Sequence, residues 1–130
     1  MKTPVVALLT NDPSLEECVA QVLSETGGLS HLAHSASDVL DLVCTIGQDL
    51  DLALIDCEHC PHGLTLAGAI NSRRENFPMI VITGSGEKLI EALAYANGAS
   101  VCLPKPIVPA DLAQAIKQCL RSQPQPAVLV

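Results

Sequence analysis

Apolar residues recur along this chain in two rhythms. Continuous runs, VVALL at 5–9, DLALID at 51–56, MIVIT at 79–83 and SVCLP at 100–104, alternate with stretches whose apolar positions return every three or four residues. A short aliphatic run bounded by polar residues suits a strand buried on both faces, as in a parallel sheet. SHLAH at 30–34 mixes polar and apolar positions and reads as a weaker strand near a sheet edge. The intervening segments predict helices. Leu15, Val19, Val22 and Leu23 line one, with Ser14 as N-cap, Glu17 completing a capping box, and Gly27-Gly28 as the stop. Val39, Leu42, Val43 and Ile46 line the second, opened by Ser37 or Asp38 and ended by Gly47. LTLAGAINSRRE and EKLIEALAYAN supply two more, and Leu112, Ile116, Cys119 and Leu120 mark the last.

Five strand signals alternating with five helix signals imply βαβ units with right-handed crossovers, hence a doubly wound α/β domain with a covered parallel sheet. The 130 residues suffice for one such domain. The expected domain spans 1–121; SQPQPAVLV at 122–130, with two prolines, reads as a linker or frayed tail.

Composition narrows the chemistry. The chain is 48% hydrophobic but only 2% aromatic, so the core is aliphatic and offers few rings for stacking bases. Seven Lys and Arg against 14 Asp and Glu give a net charge of −7, which disfavours a phosphate-backbone binder. Residues 1–60 hold ten acids and one base, Lys2, so the acidic half is where a cation or basic partner would be drawn. MKTPVVALLTND lacks the pattern of a secretory leader, and no run is long enough to cross a bilayer. Six cysteines in that context read as reduced thiols in a cytoplasmic protein.

In a parallel sheet the C-terminal strand ends share one rim, where ligands bind. Asn11 and Asp12 follow the first run, Asp56 ends the third, Thr83 ends the fourth and Lys105 follows the fifth. Each has an ordinary alternative: Asp12 as a cap with Pro13 at the first helical position, Asp56 as a solvated strand exit, Thr83 as a β-branched strand residue, Lys105 as a loop lysine. Together, the pair in TND, the acid closing DLALID, the threonine of MIVITG and the KP after GASVCLP resemble the receiver domain of the response-regulator family over about residues 4–121.

That resemblance implies a three-layer (βα)5 flavodoxin-like fold with strand order 2-1-3-4-5. It implies Asp56 as the phosphoacceptor and Mg²⁺ held by Asp12, Asp56, Asn11 and the backbone carbonyl of Glu58. Thr83 would hydrogen-bond the phosphoryl group and Lys105 would pair with it. The implied partners are a sensor histidine kinase or phosphotransfer protein and a downstream protein or C-terminal output domain, with no direct nucleic-acid or membrane binding. Such a domain turns over no small-molecule substrate and catalyses only its own phosphorylation and dephosphorylation. Physical chemistry fits those roles, because a carboxylate attacking a phosphoryl group needs cations to offset like charge.

Two residues depart from the family pattern. Asn11 stands where an acid is usual, and Cys102 where an aromatic is usual. They motivate an alternative, a degenerate receiver acting as a phosphorylation-independent binding module. Gly84 is expected to leave the site open to water and so to favour fast dephosphorylation. A further alternative is a thiol or metal sensor: Cys57, His59, Cys60 and His62 cluster closely, and Cys57 and Cys60 form a C-x-x-C pair. No second ligand pair completes a structural zinc pattern. GSGEK at 84–88 lacks the spacing of a phosphate loop.

Overall fold

Strand residues here alternate between two helical layers, and that alternation builds the domain. The computed structural model describes residues 3–33, 35–45, 50–58, 62–74 and 76–121. In order these form β1 (Val5–Leu9), α1 (Pro13–Thr26), β2 (Leu29–Ala33), α2 (Ala36–Thr45), β3 (Leu52–Asp56), α3 (Gly63–Arg73), β4 (Met79–Thr83), α4 (Lys88–Ala96), β5 (Val101–Pro104) and α5 (Pro109–Arg121). All strand pairs are parallel and the sheet order is β2-β1-β3-β4-β5. The three-layer doubly wound fold and its strand order are as expected.

Leu52 and Leu54 of β3, with Val6, Leu8, Ile80 and Ile82, face one layer formed by Leu15, Val19, Val22 and Leu23 of α1 and Leu112, Ile116 and Cys119 of α5. Ala53 and Ile55 point the other way, toward Val39 and Val43 of α2 and Leu66, Ala67 and Ile70 of α3. Leu52, Leu54, Ile55, Ile80 and Ile82 are all 0% exposed, and each such side chain contributes about 1.5–3 kcal/mol through burial. Val81, on the second face of β4, packs with Ala94 of α4 and Ala99.

Most periodic positions read from the sequence are buried, with Leu42 and Leu120 half-buried, while several boundaries move. β2 starts at Leu29, and four of its five residues are exposed, as its edge position dictates. Ser35 Oγ, not Ser37 or Asp38, accepts the first-turn N–H of α2, from Asp38 at 3.2 Å. The expected Ser14 cap is also corrected. Asp12 is the N-cap of α1: it is extended (φ −101°, ψ 108°), and its carboxylate accepts the Ser14 N–H at 3.0 Å, with Pro13 in the first helical turn. Gly27 ends that helix at φ +83°, a conformation that glycine adopts freely. Ile46, Gly47 and the expected tail from 122 onward lie outside the described residues.

Candidate functional site

Strand register sets the rim on which the polar residues meet. Leu9 pairs with Ile55, Asp56 with Ile82, and Thr83 with Pro104, so the ends of β1, β3, β4 and β5 lie side by side. Thr10, Asp12, Asp56, Thr83 and Lys105 follow from that register. The Lys105 N–H donates to the Thr83 carbonyl at 2.8 Å, tying the exit of β5 to that of β4, and the Lys105–Pro106 peptide is cis.

Three carboxylates converge on one ammonium. Lys105 Nζ lies 2.9 Å from Asp12 Oδ2, 3.0 Å from Asp56 Oδ2 and 3.1 Å from Glu58 Oε1. Asp56 is 0% exposed, an acid taken wholly out of water and therefore dependent on its donors. Those donors are Lys105 and Thr10 Oγ1 (2.6 Å) on Oδ2, and the Glu58 N–H (3.0 Å) on Oδ1. The Asp12 carboxyl sits below the usual carboxylate range, chiefly through its hydrogen bond to Lys105. For Lys105, burial pulls the ammonium down, but hydrogen bonds to Asp12, Asp56 and Glu58 outweigh it and the net shift is upward.

Sequence reasoning placed Asp12, Asp56 and Lys105 together, and they are. Thr83 is buried at the end of β4, one residue past the register partner of Asp56. Asn11 is exposed at the rim. Glu58 enters through its side chain, on Lys105, and through its N–H, on Asp56. Thr10 was missed: it is 5% exposed and bonded directly to Asp56. A hydroxyl immediately after an apolar strand run was the available signal. Gly84 is not an opening to water. It is buried, and a Cβ there would fall 2.8 Å from Glu58 Oε2 and closer still to Glu87 Oε1. The Gly84 N–H donates to Glu87 Oε1 at 2.9 Å.

The oxygen donors suit a hard divalent cation. Two carboxylates, from Asp12 and Asp56, reach one cationic position, and Mg²⁺ takes one or two carboxylates plus waters rather than a full protein cage. Among the described residues no group of three or more His, Cys, Asp or Glu side chains is arranged to hold a metal ion. A shallow depression lined by Asp12, Glu58, Ser85, Lys105 and Pro106 opens beside the cluster.

On β5, Cys102 stands at the expected aromatic position. Its N–H donates to the Tyr95 hydroxyl of α4 at 3.2 Å, and burial raises its thiol to about 11, with the Glu91 charge adding to the shift. Cys57 is half-buried and packs beside Val81 and Ala94; His62 is exposed. His59 and Cys60 lie outside the described residues, as does His34. No helix among the described residues is long and apolar enough to cross a membrane.

The family model of the response regulator receiver domain matches residues 6–117. No curated protein matches the chain in sequence. Among solved structures, the signal receiver domain of an HD domain-containing protein from Pseudomonas fluorescens Pf-5 is 25% identical, with a TM-score of 0.81 over 93% of this chain and 89% of that one. A CheY-like response regulator receiver domain protein from Methanospirillum hungatei JF-1 is 22% identical, with a TM-score of 0.80 over 92% of this chain and 95% of that one. NtrX from Brucella abortus is 20% identical, with a TM-score of 0.79 over 92% of this chain but 27% of that one. With its fold, its acid-and-lysine rim and this match, the chain belongs to the receiver domains of response regulators, the signalling modules of two-component systems.

Proposed function

We propose that Asp56 accepts a phosphoryl group from a phosphohistidine of a sensor histidine kinase or phosphotransfer protein, and that the charge change switches protein contacts. One observation carries this reading: a fully buried carboxylate at a strand C-terminus held 3.0 Å from a lysine ammonium. In the transfer, a carboxylate oxygen of Asp56 attacks phosphorus, the bond from phosphorus to the histidine nitrogen breaks, and its electron pair stays on the imidazole. Lys105 offsets the charge gathered on the phosphoryl oxygens, a point-charge role suited to lysine. Thr83, at the adjacent strand end, would donate to the new oxygens, and the Gly84–Glu87 turn after it is the segment that would move.

Receiver domains in general bind Mg²⁺ at the aspartate pocket. Here Asp12 and Asp56 would hold it, with the Glu58 carbonyl and Asn11 or its water as further oxygens, and it would supply additional neutralisation of phosphoryl charge. Asn11 brings no charge, so affinity for Mg²⁺ is expected to be weak. Lys105 shares both carboxylates with any such ion.

Receiver domains act between histidine kinases and output domains. The NtrX comparison, in which the matched region is about a quarter of the longer chain, supports a multidomain arrangement as one form of output. A separate partner is the other form, and we place the protein in the cytoplasm. Leu89, Leu93 and Tyr95 of α4 are 71%, 40% and 48% exposed, which favours a second reading, protein binding that needs no phosphorylation.

The test is exposure to acetyl phosphate with Mg²⁺, read by intact mass, for the wild type and Asp56→Asn. One added phosphoryl group, lost in the variant, supports the switch. No adduct in the wild type overturns it and leaves the binding module.

A further inference from the structure

We infer that Thr10 is a catalytic residue of the dephosphorylation step, one that shortens the life of the phosphorylated state. This rests on the phosphoacceptor reading of Asp56. The Thr10 hydroxyl has one proton, and the geometry fixes where it points. Its oxygen already accepts the Asp12 N–H at 3.0 Å, and Asp56 Oδ2 lies 2.6 Å away. An ionised carboxylate only accepts, so the hydroxyl donates to Asp56. Both residues are buried, at 5% and 0% exposure, so solvent does not dilute the contact.

Among the described residues Oδ2 carries two donors, Thr10 and Lys105, whereas Oδ1 carries one, the Glu58 backbone N–H. Oδ1 is therefore the less engaged oxygen and the one that bonds to phosphorus, leaving Oδ2 as the acyl carbonyl oxygen beside Thr10. On hydrolysis, water attacks phosphorus and the phosphorus–Oδ1 bond breaks. The electron pair of that bond returns to the carboxylate, shared over Oδ1 and Oδ2, and the protons of water leave with the phosphate. One acyl phosphate and one water give one carboxylate and one dihydrogen phosphate.

Negative charge thus grows on Oδ2 as the bond breaks, under a donor already in place. A hydrogen bond to a charged acceptor is worth more than one to a neutral carbonyl, so Thr10 stabilises the transition state more than the acyl phosphate. The same contact opposes phosphoryl capture, in which the carboxylate loses charge. The hydroxyl therefore biases the site toward its unphosphorylated state.

The experiment compares wild type, Thr10→Val, Thr10→Ala and Thr10→Ser after loading with acetyl phosphate and removal of the donor, following loss of the phosphoryl mass with time. The valine and alanine variants are expected to hold the phosphoryl group about three- to tenfold longer, and serine to restore a half-life near wild type. Alanine keeps the test open should valine fail to fold beside the Asp12 N–H. Unchanged or shorter half-lives in both hydroxyl-free variants overturn the inference while leaving Asp56 as acceptor. A serine variant as slow as valine also overturns it, since the methyl group and not the hydroxyl would then matter. A wild type that never loads removes the phosphoacceptor reading itself, and this inference with it.

Discussion

Lys105 and Asp56 stand 49 residues apart in the chain, yet Nζ and Oδ2 are 3.0 Å apart. β3 and β5 are separated in the sheet by β4, so the long lysine side chain spans a strand to reach the buried acid. Asp12 and Glu58 close on the same ammonium from two further loops. Three acids share one base, and the site is therefore short of positive charge.

Removing that base leaves Asp56 buried with Thr10 and the Glu58 backbone N–H as its donors among the described residues. Lys105→Met is expected to cost about 1–3 kcal/mol, less than a fully buried pair because Asp12 and Glu58 can turn to water. In a double-mutant cycle with Asp56→Asn, chemical denaturation should show a coupling of roughly 1–2 kcal/mol. Additive losses would mean that the two groups do not interact in solution.

The ion cluster should also have a pH signature. The Asp12 carboxyl is held down by Lys105, so its stabilisation is present above the unfolded value of about 4 and fades as pH falls through the lower folded one. Lys105 is raised, so its contribution is present below about 10.4 and is lost only as pH rises through the higher folded value. The difference in Tm between wild type and Lys105→Met should be level from about pH 5 to 9 and shrink below about pH 4. A difference that widens on acidification contradicts the assignment.

Asp12 does two jobs with two oxygens, Oδ1 capping α1 and Oδ2 meeting Lys105. Asparagine is as good an N-cap as aspartate but carries no charge. Asp12→Ala should therefore be less stable than Asp12→Asn by about 1 kcal/mol in urea denaturation. Equal stabilities would show that the cap contributes nothing.

The sequence carried most of the architecture, because strand and helix periods are local and the core obeys them: Leu54 and Ile55, adjacent in the chain, go to opposite layers as a period of two requires. It also brought Asp12, Asp56 and Lys105 to one rim by topology alone. The contact of Thr10 was not legible: its hydroxyl after VVALL is the signal of a strand exit, but its partner lies 46 residues away. The dual role of Asp12 was hidden for a related reason. Asp12 with Pro13 was one local cap pattern and Ser14 with Glu17 another, whereas the contact of Asp12 with Lys105 joins residues 93 apart in the chain. Gly84 misled because the space a glycine leaves depends on what other segments put there, in this case the carboxylates of Glu58 and Glu87.

Cys102 sits on the edge strand β5 with its thiol pushed up to about 11 by burial first and then by Glu91. Little thiolate exists near neutrality, and the thiolate is the nucleophile. Alkylation of Cys102 by iodoacetamide at about pH 8 should be at least about tenfold slower than for an unstructured peptide cysteine, read by peptide mass. Rapid labelling would contradict the burial of this thiol.

The central claim is that Asp56 carries the phosphoryl group, and the chemistry of an acyl phosphate allows it to be located. Borohydride reduces an aspartyl phosphate to homoserine, which fragmentation of the digested protein places in the sequence. After treatment with acetyl phosphate and Mg²⁺, homoserine at position 56 and at no other acid is the result expected. Homoserine at Asp12, the reduced glutamate 2-amino-5-hydroxyvalerate at Glu58, or no reduced acid anywhere in a protein that had been exposed to the donor, contradicts the account.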